Sequence, residues 1–185
     1  IKSWLESGHI NPGLTGLPDE LRNHPLMQQV WAGIDATQVW DCHAHIIGSG
    51  DSGKSGAWAT PKMDSWRHPI LKIQKFFHIN GAGLDTNKED ESFVARLVHL
   101  SIEMPVGYKT MLFAFEWSHN EMGNPVQQDS IFHIPNDYAA SIIEQHPQHF
   151  EWVASIHPYR ADAIDALEQA HAQGAVAMKW LASSM

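Results

Sequence analysis

Four apolar runs, separated by stretches with helical spacing, constrain the fold of this 185-residue chain more than any other feature. The first run spans about 38–47, and the second is Thr110-Met-Leu-Phe-Ala-Phe-Glu-Trp117. The third is Phe150-Glu-Trp-Val-Ala-Ser-Ile-His157 and the fourth Ala175-Val-Ala-Met-Lys-Trp-Leu181. The second is almost continuously apolar, the pattern of a strand covered on both faces in a parallel sheet. Between the runs, Ile70, Ile73, Phe76 and Phe77 fall on one helical face that Gly81 should stop. Thr86 with Glu89 resembles a capping box ahead of an apolar stripe at Phe93, Val94, Leu97 and Leu100, closed by Pro105. Two more helices are expected, from Asn136 to about Gln145 before Pro147, and over 161–173 before Gly174. Strand–helix alternation implies parallel pairing through right-handed crossovers. Doubly wound sheets and (β/α)8 barrels both satisfy it, and both place their chemistry at the carboxyl ends of the strands. Residues 1 to about 36 read as a helical leader. Turn signals lie at Asn11-Pro12-Gly13 and Gly16-Leu17-Pro18, Asp19 and Glu20 open a short helix, and Pro25 marks its limit or a second start.

A chain of this length is in the one-domain range, and 43% hydrophobic with 18% charged residues is the balance of a globular protein, not a disordered one. The net charge of −9 disfavours a general nucleic-acid surface, which needs clustered Lys and Arg. A single cysteine, Cys42, allows no internal disulfide, and no apolar stretch approaches the ~20 residues that cross a bilayer. With no signal-peptide pattern, the expectation is a soluble cytoplasmic protein whose partner is a small molecule, without nucleic acid or membrane.

The first run ends in Trp40-Asp-Cys-His-Ala-His45. Side chains alternate along a strand, so His43 and His45 project from one face, close enough to grip one cation. Neutral imidazole is the commonest metal ligand, and two on one strand lose little entropy on binding. Exposed polar residues at a strand end, or a turn cap, would also explain the pair. Other polar side chains fall at the ends of the later runs: Glu116 and His119, then His157 and Arg160, then Lys179. Cys42 is expected to face away from the histidines into the core.

Gly48-Ser-Gly-Asp-Ser-Gly-Lys-Ser55 fits the pattern G-x-x-x-x-G-K-[ST] and follows a strand. It offers an alternative, a nucleotide-binding P-loop protein. That reading requires a helix to begin at Lys54, yet Gly56 and Pro61 follow closely, and Asp51 would put a negative charge into a phosphate cradle. The stretch from Gly48 to Ala59 is long for a plain connection and is also a candidate lid.

Val39-Trp-Asp-Cys-His-Ala-His45, the segments Ile134–Tyr138 and Ser155–Tyr159, and Gly174-Ala-Val-Ala-Met-Lys-Trp180 together resemble the amidohydrolase superfamily. The branch they resemble is the amidohydrolase-2 group of metal-dependent TIM-barrel hydrolases and decarboxylases. The resemblance spans about residues 38–183. It implies a divalent metal on His43 and His45, most often zinc, with manganese or another divalent ion possible. It implies hydrolysis of an amide, lactone or related bond of a small molecule, with decarboxylation or hydration as the in-family alternative. Lys179 and His157 become candidate catalytic residues: Lys179 as a carboxylated bridging ligand or a buried paired lysine, His157 as a substrate or supporting contact. A full barrel has eight strands, further metal histidines on strands five and six, and a catalytic aspartate after strand eight. Residues 37–185 are therefore expected to be the N-terminal half of a (β/α)8 TIM barrel belonging to a longer enzyme. That half would associate with the rest of the barrel or with itself as a homo-oligomer, and alone it could be an inactive fragment.

Overall fold

Thr110, Leu112 and Ala114 are buried while Met111, Phe113 and Phe115 are half-buried, so one face of this strand carries most of the packing. The computed structural model describes residues 18–181, and the turns expected near 11–13 and 16–17 lie outside them. The leader forms α1 (Asp19–Arg22) and α2 (Pro25–Val30). Pro25 occupies the first turn of α2, where a missing N–H costs nothing, and the His24 ring accepts from the Leu26 amide at 3.2 Å.

The remaining elements are β1 (Trp40–His45), β2 (Trp58–Ala59), α3 (Pro69–Ala82), α4 (Glu89–Ile102), β3 (Lys109–Phe113), β4 (Phe132–His133), α5 (Asn136–Gln145), β5 (Phe150–Ser155), α6 (Ala163–Ala172) and β6 (Ala177–Lys179). The four strands expected from the sequence form one curled parallel sheet in the order β1-β3-β5-β6, compatible with part of a barrel. β2 and β4, too short to stand out as apolar runs, make a separate antiparallel pair. The fold is α/β, and each crossover between neighbouring parallel strands includes a helix, as parallel pairing demands.

Leu112, Ala114, Phe150, Trp152 and Ala154 pack against Ala139, Ile142 and Ala170 from α5 and α6, building the core on the helix-covered side of the sheet. Phe93 of α4 is also buried, and Val94 and Leu97 pack against that core. Several expectations need correction. The β3 run is covered on one face, not two. The stripe on α3 forms a helix as expected, but it runs on to Gly83, whose φ of +63° suits glycine at a helix end. Ile70, Ile73 and Phe77 on that helix are 72%, 56% and 62% exposed, outside the core. Cys42 is exposed too, on β1, an edge strand whose pairing register slips between Asp41 and Ala44. No helix among the described residues is long and apolar enough to cross a membrane.

Candidate functional site

Cross-strand register sets the functional face. His45 pairs with Phe113, Phe113 with Val153, and Ser155 with Lys179. Side chains at paired positions project to the same side, so His45, Phe113, Val153, Ser155 and Lys179 share the face opposite the helical core. The rings of His43 and His45 lie 5.0 Å apart, and their Nε2 atoms approach to 3.0 Å. Phe113 stacks on His43 at 5.0 Å and stands edge-on to His45 at 5.6 Å, while Phe115 lies 6.2 Å from His45. The Lys179 Nζ is buried with no hydrogen-bond partner among the described residues and rests over the rings of Phe115 and Phe113, at 4.3 and 5.4 Å from their centroids. The structure thus gathers His43, His45 and Lys179 on two phenylalanines.

Burial against this apolar wall lowers the His45 pKa, and the positive charges of Lys179 and His43 lower it further. Burial likewise lowers the pKa of Lys179. Both shifts run in the direction of the neutral forms. Two nitrogens bound to one zinc at ~2.0–2.1 Å in tetrahedral geometry stand about 3.3 Å apart, so the imidazole spacing is close to that of a shared ion. Among the described residues no three His, Cys, Asp or Glu side chains converge, so two imidazoles are the donors of that kind present.

His157 goes elsewhere. It is 5% exposed, its ring stacks on His119 at 4.4 Å and 25°, and its Nδ1 accepts from the Tyr159 amide at 3.2 Å. His119 Nδ1 in turn reaches the Trp117 carbonyl at 2.8 Å. Glu116 and Arg160, both noted from the sequence as strand-end residues, form an ion pair at 2.6 Å, and Arg160 also forks onto Asp162 at 2.9 and 2.8 Å. Two further residues at these strand ends, His133 and Phe113, carry no signal in the sequence. Hydrophobicity alone marks Phe113 as core, and β4 has no period to read.

The glycine-rich segment is explained by a different anion. Asp90, only 1% exposed, accepts from the Ser49 and Gly50 amides at 2.8 and 3.1 Å, from the Ser52 hydroxyl at 2.9 Å and from the Ser55 hydroxyl. Burial pushes its pKa up, but these bonds more than offset that and hold it below the usual carboxylate range. Asp51 returns the contact, accepting from the Glu89 and Asp90 amides at 2.5 and 3.1 Å at the start of α4. Asp51 therefore replaces the expected Thr86 cap. A Cβ at Gly48 would come within 2.8 Å of Asp90 Oδ1, and one at Gly50 within 2.4 Å of the Ala57 carbonyl. Residues 51–55 are turns and bends with no helix at Lys54, and a protein carboxylate occupies the cradle. The nucleotide reading lacks its structural condition, and the loop is pinned, not a free lid.

His133, whose pKa is lowered chiefly by burial, joins His45 in a pH effect. Below about pH 6.5 the unfolded chain protonates these imidazoles before the folded one does, so the unfolding free energy rises with pH across that range. Urea denaturation should show lower stability at pH 5.5 than at 7.5. A His45→Gln, His133→Gln double variant should flatten that difference, and an unchanged slope would refute the assignment.

Comparison with family models, curated proteins and solved structures gives no match for this chain.

Proposed function

We propose that the chain carries part of the metal centre of an amidohydrolase-type, metal-dependent hydrolase, with His43 and His45 as two ligands of a divalent ion, zinc first. The observation that carries this is the convergence of the two Nε2 atoms at 3.0 Å at the carboxyl end of β1, beside a buried amine with no hydrogen-bond partner among the described residues. A divalent ion held there would lower the pKa of a water toward neutrality and polarise a carbonyl. The chain's own residues orient the pair: Phe113 fixes the His43 ring by stacking, and Phe113 and Phe115 back the His45 ring, while both imidazoles stay open to solvent. Lys179 can join as a third donor through its lone pair, or after taking up carbon dioxide as a carbamate with release of a proton. His157, held by His119 and the Tyr159 amide, supports the strand-end loops and is not a first choice for substrate contact.

Two imidazoles are a sparse set for zinc, which in catalytic sites takes three protein ligands. The reading therefore includes a barrel completed beyond this sheet. In support, β1 and β6 are its edge strands, and Trp40, Val176, Met178 and Trp180 around them are 40%, 44%, 37% and 59% exposed. The test is elemental analysis after equilibrium dialysis against micromolar zinc, comparing the protein with its His43→Ala, His45→Ala double variant. The variant is expected to bind zinc about 100-fold more weakly or worse, since even supporting residues of a metal site cost 10–100-fold. Equal metal content in the two would overturn the reading.

A further inference from the structure

A second cleft, of about 570 Å3, opens between the start of α5, one side of α6 and the loop after β3. Its size is within the usual range for small-molecule sites. It is built from residues other than His43, His45 and Lys179, so what it binds is independent of the metal reading.

We propose that this cleft binds a small planar organic cation of the guanidinium or amidinium class. Charge comes first. Glu116, Asp137 and Asp162 line the cleft against a single cation, Arg160, leaving it net acidic. Arg160 shows within the chain what those carboxylates accept: its guanidinium binds Asp162 through two N–H groups and Glu116 through a third. Asp137 offers the same chemistry without an internal cation. Its Oδ1 takes one bond from the Gln173 amide at 3.2 Å, and Oδ2 has none among the described residues.

The walls add shape. Trp117 and His133 are stacked nearly parallel, 4.1 Å apart at 12°, and both line the cleft. A flat delocalised cation gains from such an aromatic wall more than a compact ammonium does, because it can lie against a ring while its edge faces a carboxylate. The Nδ1 atom of His133 is buried, with no hydrogen-bond partner among the described residues, so what His133 offers a ligand is ring surface.

The test uses three ligands of nearly equal size, n-butylguanidinium, n-butylammonium and uncharged n-butylurea, with pentanoate as the anion. Each is titrated into the full chain at low ionic strength by calorimetry, and the site is located by chemical-shift changes at the indole of Trp117 and the amides of α6. Butylguanidinium is expected to bind about tenfold tighter than butylurea and about threefold tighter than butylammonium, with pentanoate weakest, and the preference should shrink with added salt. Asp137→Asn, at an exposed first-turn position that leaves the core intact, should bring butylguanidinium down to the level of butylurea. The His43→Ala, His45→Ala variant should bind like the unmodified chain, so failure of the metal site and failure of this cleft remain distinguishable. Equal binding of butylurea, an unchanged preference in Asp137→Asn, or shifts confined to other surfaces would each overturn the proposal.

Discussion

Asp90→Ala is expected to lower the unfolding free energy by about 3–4 kcal/mol, since it strips the acceptor from two backbone amides and two serine hydroxyls around a carboxylate only 1% exposed. Bonds to a charged partner are worth about 1.5–3 kcal/mol each, but the hydroxyls can turn to water, so the four do not add in full. Asp90→Asn retains one acceptor oxygen and should cost roughly half as much. The contribution has a definite pH dependence. The folded pKa of Asp90 is depressed, so its stabilisation is complete above the ordinary carboxylate value near 4 and is lost as pH falls through the folded value. Urea unfolding of the two proteins should therefore show a wide gap at pH 7 that closes in acid. A gap below about 1 kcal/mol at pH 7 would mean that the loop does not depend on this carboxylate.

The other large effect is expected at Trp152. It is fully buried on β5 at the centre of the core, and its Nε1 donates to the Gln173 carbonyl at 3.3 Å. Trp152→Ala should cost about 3–5 kcal/mol, combining lost apolar transfer, a cavity under α5 and α6, and an abandoned carbonyl. Trp152→Phe keeps most of the volume and should cost about 1–2 kcal/mol. Guanidinium denaturation measures both. An unchanged m-value with a lower midpoint identifies a loss of native packing, and a Trp152→Ala midpoint close to that of the unmodified chain would displace Trp152 from the centre of the core.

The sheet and its helices were readable because they carry strong periodicity. Phe150, Trp152 and Ala154 alternate with Glu151 and Val153, and α5 and α6 have apolar residues at helical spacing. The pairing of His43 with His45 was readable for the same reason, since a two-residue offset on a strand fixes a shared face. What escaped was anything decided between distant segments. The loop of Gly48–Ser55 matches a phosphate-binding pattern, and no local feature reveals that Asp90, on a helix 35 residues further on, fills it. Thr86 looked like the cap of α4 because caps are sought next to the helix, whereas Asp51 reaches in from another part of the chain. Cys42 looked buried because alternation gives its side of the strand but not whether another element covers that side. The grouping of His157 with His119 was hidden because both sit in loops after strands, where no period applies.

The exchange of carboxylates between the glycine-rich loop and α4 has a consequence for how the protein comes apart. Asp51 completes the first turn of the helix, and Asp90 from that same turn organises the loop, so neither segment is satisfied until the other has formed. The two therefore open and close together as one unit, and a protease or solvent deuterium that gains entry to either gains both.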